Sequence, residues 1–173
     1  ILRFSPDNFK YISFFFFLFR GIEHKLSINF INQPRYQNCL NTWNKKSNIS
    51  FESLYYETID ETQQYLRDVY LSIKNGSSDF ETLTELGCYN KTTKGSGIST
   101  VIAGIYFTCK YANKPLSAIE QSVNSIGIDT DSVAAFAGGL LGALHGQSII
   151  PDRFKKVQDY KYLEKIAINM LAI

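Results

Sequence analysis

From about residue 51 onward, apolar residues recur at helical spacing. Tyr55, Ile59, Leu66, Val69, Tyr70 and Ile73 fall at intervals that share one helix face, while Glu57, Glu61, Gln64, Arg67 and Asp68 take the others. That period predicts an amphipathic helix, with Asn75-Gly76 as its stop. A short second helix is expected over residues 79–86, ended by Gly87. Gly95-Ser96-Gly97 opens a third, with an apolar stripe of Ile98, Val101, Ile102, Ile105 and Tyr106, and Asn113-Lys114-Pro115 closes it. Pro115 suits the first position of a fourth helix, which carries Leu116, Ile119 and Val123 and is broken by Gly127. A fifth covers residues 132–144 and ends at Gly146, and Tyr162, Leu163 and Ile166 mark a last one. No strand-like alternation competes after residue 50. The expected fold class is therefore all-α, with helices packed on helices.

The fifth helix is unusual in its small residues: Ala134, Ala135, Ala137, Gly138, Gly139, Gly142 and Ala143. In an exposed helix each Gly costs about 1 kcal/mol relative to Ala. Such a composition makes sense where other helices approach the backbone closely.

Residues 1–50 lack this order. Residues 27–31 alternate weakly, and residues 33–48 are polar and turn-rich around Pro34. The chain is thus divided into an irregular or partner-covered segment, 1–50, and a helical part, 51–173. The one long apolar run, YISFFFFLF at residues 11–19, is nine residues, whereas a membrane-spanning helix needs about twenty. A buried core segment is its first reading, and a surface covered by a partner chain or missing sequence is its second. A signal or membrane role comes last: Arg3 and Lys10 precede the run, but no initiating Met and no small-x-small cleavage site accompany it.

Composition narrows the classes further. The chain has 173 residues, 45% hydrophobic and 20% charged, with a net charge of +2. Intrinsic disorder and collagen are excluded, and no electrostatic footprint points to nucleic acid or an anionic membrane. Trp43, with Tyr36 and Lys45-Lys46 nearby, is too isolated to suggest base stacking. The cysteines Cys39, Cys88 and Cys109 form no C-x-x-C, and the histidines are His24 and His145. A Cys/His zinc site is therefore disfavoured, and the thiols read as reduced, buried and cytoplasmic. The sequons at Asn48, Asn75 and Asn90 read as chance in a chain rich in Asn and Ser. His24 reads as a surface residue, and His145 as a satisfied or exposed one.

The chemistry concentrates in Gly127-Ile128-Asp129-Thr130-Asp131-Ser132, at a loop-to-helix junction. Such a loop can turn two carboxylates and a hydroxyl toward one point. These are hard oxygen donors, suited to Mg²⁺, Mn²⁺ or Ca²⁺. The same residue types are ordinary N-caps, so from the string alone cap and metal loop both remain open. No closing Glu follows at EF-hand spacing. Gly95-Ser96-Gly97 reads either as a helix-start turn or as a backbone contact for a ligand, and it is no dinucleotide fingerprint.

The stretch over residues 117–151, SAIEQSVNSIGIDTDSVAAFAGGLLGALHGQSIIP, resembles the C-terminal signature of the ADP-ribosylglycohydrolase family, of the dinitrogenase reductase-activating glycohydrolase type. The matching pieces are Val123-Asn124, the loop from Gly127 to Ser132, Gly142-Ala143-Leu144-His145-Gly146 and Ile150-Pro151. The resemblance implies an all-α bundle whose active site holds two Mg²⁺ ions, with Mn²⁺ as a possible substitute, and cleaves ADP-ribose from modified side chains or related conjugates. It implies Asp129, Asp131 and Ser132 as metal ligands, and places Gly95, Ser96, Gly97 and Gly127 near the substrate. Ile128 stands where the family usually has Gly or a small polar residue, and Ser132 where Thr is commoner. The family's G-D-x-x-G and T-D-D-T stretches are missing from the sequence. The nearest string, Thr58-Ile59-Asp60-Glu61-Thr62-Gln63, falls inside the first amphipathic helix and reads as a surface face. The resemblance therefore implies an incomplete bundle. The partners expected are ADP-ribose or an ADP-ribosylated substrate, with a second chain as one source of the missing half, and neither nucleic acid nor membrane. A catalytically inactive, crystallin-like binding or structural relative is the alternative. No catalytic acid or base can be named from the sequence.

Overall fold

The computed structural model describes residues 33–171, and seven α-helices form among them. They are α1 (Pro34–Lys46), α2 (Phe51–Asn75), α3 (Asp79–Glu85), α4 (Gly97–Lys110), α5 (Pro115–Asn124), α6 (Thr130–His145) and α7 (Tyr160–Leu171). Short 3-10 turns at Gln147–Ile149 and Phe154–Lys156 lie between α6 and α7. No strand forms among the described residues, where the nearest thing to one is an isolated bridge between Ile126 and Ile128. The class is all-α, as the periodicity implies. The apolar run at 11–19, the alternation at 27–31 and His24 lie outside the described residues.

Local signals account for most boundaries. Ser50, Ser78 and Ser96 each accept a hydrogen bond from the amide three residues on, at the starts of α2, α3 and α4. Ser78 and Glu81 form a reciprocal capping box. Pro115 begins α5, and Gly76 ends α2 in the left-handed conformation. One stretch departs from expectation. Residues 33–48 read as turn-rich, yet α1 forms there, because Pro34 occupies the first helical turn, where its missing N–H costs nothing.

α4 is the centre of the assembly. It packs against α6, α5 and α2, and every residue from Ile102 to Thr108 is buried. Leu66 and Val69 of α2, Leu83 and Leu86 around α3, and Val133 and Ala137 of α6 close on Ile102, Tyr106 and Phe107. The apolar stripe read from the sequence is thus too narrow for α4, which is covered nearly all round. The reverse holds for α5. Its buried residues are Ala118 and Ser122, while Val123 is exposed. Small side chains on this face let α5 approach α4 and α6.

The small-residue helix α6 is only half explained. An added side chain at Gly104 of α4 would meet Phe136 at 2.7 Å, and one at Gly138 would meet Ile119 at 3.5 Å. Gly139 and Gly142 face open space among the described residues. Helix α7 is tied down by Gln147, whose side-chain amide donates to Tyr160 and Glu164, yet Tyr162, Leu163, Ile168 and Met170 stay exposed. No helix among the described residues is long and apolar enough to cross a membrane. Of the three thiols, Cys88 is buried and Cys109 half-buried, and burial pushes them up to about 11 and about 12. Cys39 is exposed, against the reading of three buried hydrophobes, because it sits on α1, which buries no residue.

Candidate functional site

Two loops meet at the N-terminal ends of α4 and α6. The first, between α3 and α4, is folded on itself: Thr93 donates its hydroxyl to the Gly87 carbonyl at 2.6 Å, and Ser99 donates to the Thr93 carbonyl at 2.8 Å. The second runs from Ser125 to Asp129. Ile128 is its anchor, 5% exposed and packed in the core. This accounts for an apolar residue where the resembling family has a small one: the side chain points inward and holds the loop down. Gly127, just before it, has φ +111°, and an added Cβ would sit 3.1 Å from the Tyr89 ring. Both the backbone and the space require glycine. Gly127→Ala is expected to destabilise the fold by roughly 1–3 kcal/mol in urea unfolding, whereas Ile126→Ala, at a position 87% exposed, changes stability by less than about 0.5 kcal/mol.

Asp129 occupies the N-cap position of α6, and its backbone carbonyl accepts the first helical hydrogen bond, from Val133. Its side chain makes no capping bond. The carboxylate turns instead toward Thr100 of α4, whose hydroxyl lies 3.4 Å from Oδ2. An added Cβ at Gly95, where φ is +74°, would lie 3.5 Å from the same oxygen. Asp131 follows in the first turn and is exposed. The neighbouring Asp129 side chain, together with its own amide and that of Ser132, holds the Asp131 carboxyl below the usual carboxylate range. Ser132 is exposed on the same turn.

The structure therefore brings together Asp129, Asp131, Ser132 and Gly95. Ser96 and Gly97 continue the same turn, but the Ser96 hydroxyl is engaged as the cap of α4, so this turn offers backbone rather than side chain. Gly127 lies within the loop beside Tyr89 and acts through backbone shape. Thr100 and Tyr89 were not legible as site residues. The one sequence signal for Thr100 was its place one turn after the Gly95-Ser96-Gly97 start. Asp60 and Glu61 lie exposed on α2, as a surface face should. His145 lies at the far end of α6, with Nε2 2.8 Å from the Ala112 carbonyl oxygen, where it joins α6 to the α4–α5 turn.

Two carboxylates two residues apart at one helix start repel each other, and a cation between them removes that repulsion. Neither has a Lys or Arg partner among the described residues. The donor set, two carboxylates and a neighbouring hydroxyl, fits a hard divalent ion. It is a partial set, since no group of three or more His, Cys, Asp or Glu able to hold a metal occurs among the described residues.

A family model described as ADP-ribosylglycohydrolase matches residues 35–172. No curated protein and no solved structure matches the chain.

Proposed function

The chain belongs to the ADP-ribosylglycohydrolase family, and from that premise we propose that it takes part in the Mg²⁺-dependent hydrolysis of ADP-ribose from modified side chains or related conjugates. The observation that carries this reading is the Asp129 side chain, which makes no capping bond and lies beside Thr100, with the Asp131 carboxylate two residues on. A cap would direct that carboxylate at the amides of α6. Asp129, Asp131 and Ser132 would hold a Mg²⁺ ion, with Mn²⁺ as a substitute of the same ligand preference. When bound, the ion supplies charge neutralisation and a fixed place for ribose hydroxyls next to an electron-poor anomeric carbon. The chain's own contribution is orientation. Ile128 and Gly127 hold the acidic loop, and the turn at Gly95 to Gly97 leaves room beside the carboxylates for a substrate to approach backbone amides. The amides at the start of α4 suit the diphosphate of such a substrate. The remaining ligands of a two-ion site would come from beyond the described residues, a second chain being one source.

A second reading, a catalytically inactive binding or structural relative, is favoured by the small size of the donor set. One experiment separates the two. The full chain is melted with and without Mg²⁺ and ADP-ribose and then incubated with ADP-ribosylated peptides. A hydrolase raises its Tm with both ligands and releases ADP-ribose. An inactive relative shows the rise without release. A chain that shows neither response contradicts both readings and leaves the acidic loop as plain helix-start structure.

A further inference from the structure

The threonines within α1–α4 separate into two kinds. Thr42, Thr58, Thr62, Thr82, Thr84 and Thr108 lie within α1–α4, and each returns its hydroxyl to the carbonyl four residues earlier in its own helix, at 2.7–3.0 Å. That back-bond is the ordinary fate of a helical threonine hydroxyl. Thr100 departs from it. The carbonyl four residues before it, Ser96, already accepts from the Thr100 amide at 3.0 Å and from the Ser99 hydroxyl at 3.2 Å. The Thr100 hydroxyl crosses to another element and reaches Asp129 Oδ2, 29 residues away. On its other side the same oxygen lies against the Gly95 turn. Asp129, freed from capping, is thus held between a hydroxyl and a glycine turn.

We propose that Thr100 is a positioning residue. Its hydroxyl selects the side-chain rotamer of Asp129 that lies beside α4 and keeps the carboxylate off the α6 amides. The contact is long for an O–H···O bond, so its work is to select direction. The alternative rotamer would turn the carboxylate to the amides of the first turn, the usual role of an N-cap aspartate, in competition with the Asp131 carboxyl. The consequence for metal affinity rests on the reading of this loop as a Mg²⁺ site. Groups that orient a metal ligand without touching the ion typically change affinity roughly 10–100-fold when removed.

The test uses the full chain labelled for NMR, as wild type, Thr100→Val and Thr100→Ser. Valine keeps the shape of threonine and loses the hydroxyl, whereas serine keeps the hydroxyl. The χ1 rotamer of Asp129 is read from its three-bond couplings in the absence of metal, and Mg²⁺ is then titrated into the same samples. One dominant Asp129 rotamer is expected in wild type and Thr100→Ser, with averaged couplings in Thr100→Val. The Mg²⁺ dissociation constant should rise about 10-fold or more in Thr100→Val and return in Thr100→Ser. Identical Asp129 couplings in all three proteins overturn the inference, as does an unchanged Mg²⁺ constant in Thr100→Val. If the rotamer depends on Thr100 but wild type ignores Mg²⁺, the positioning role is supported and the metal reading fails instead. Should Thr100→Val not fold, Thr100→Ala makes the same comparison.

Discussion

Asp129→Ala is expected to remove the Mg²⁺-induced rise in Tm while leaving the metal-free protein as stable as before. The two halves of this result have separate physical causes. A carboxylate that touches the ion contributes more than a group acting through it, so loss of Asp129 should weaken Mg²⁺ binding by at least about 100-fold. At a metal concentration 100 times the wild-type dissociation constant, that removes most of about 2.7 kcal/mol of ligand-linked stabilisation. Hydrolysis, where it is measured, should fall with it. Without metal the same substitution deletes no capping bond, since none exists, and it removes one of two acidic groups that lie two residues apart. The contrast is with Ser96→Ala, which does delete a cap, the bond from the Ser99 amide, and should cost about 1 kcal/mol with or without Mg²⁺. If Asp129→Ala instead lost about 1 kcal/mol in metal-free buffer and wild type ignored Mg²⁺, the loop would be a helix cap. Calorimetric melting of the three proteins across a Mg²⁺ series distinguishes the cases.

The second large effect concerns what holds α3 to α4. Asp79 Oδ1 accepts from the Tyr106 hydroxyl at 2.6 Å and from Lys110 Nζ at 2.7 Å, and Oδ2 accepts from the Tyr111 hydroxyl at 2.7 Å. Lys110 also donates to the Ser77 carbonyl. The Tyr106 side chain is fully buried, and the Lys110–Asp79 pair is about one-fifth exposed. Asp79→Ala leaves two phenols without their acceptor and the Lys110 ammonium without its carboxylate, in a place that water reaches poorly. The expected loss is about 3 kcal/mol in denaturant unfolding. Asp79→Asn should cost less, because the amide oxygen still accepts one bond.

The same cluster sets a pH dependence. Burial pushes the Asp79 carboxyl up, but hydrogen bonds from Lys110, Tyr106 and Tyr111, with the Lys110 charge, outweigh it, and the carboxyl lies below its ordinary value of 3.8. A group held lower in the folded than in the unfolded chain stabilises fully above the unfolded value and loses that contribution as pH falls through the folded one. The wild-type protein should therefore lose stability below about pH 4, and Asp79→Asn should flatten that part of the profile. The phenols of Tyr106 and Tyr111 are pushed upward by burial and by the neighbouring carboxylate, so they stay protonated and act as donors throughout. An acid limb as steep in Asp79→Asn as in wild type would assign the effect to other carboxylates.

Much of this protein was legible in its sequence because the governing forces are short-range. Helical periodicity and the punctuation at Pro115, Asn75-Gly76 and Gly146 depend on neighbours within about four positions, and they placed six of the seven described helices. The ordered string from Gly127 to Pro151 was enough to identify the family to which the chain belongs. What the sequence left open was every choice made between distant segments. Asp129 as a cap and Asp129 as a ligand are the same letters, and that its side chain makes no capping bond and lies beside Thr100 is visible only in the folded chain. The burial of Ile128, the all-round cover of α4 and the exposure of Val123 follow from which helices pack together. Side-chain direction and burial respond to contacts far apart in the chain, and no local pattern encodes them. Only the tertiary structure set the Asp129 carboxylate beside Thr100 of a distant helix.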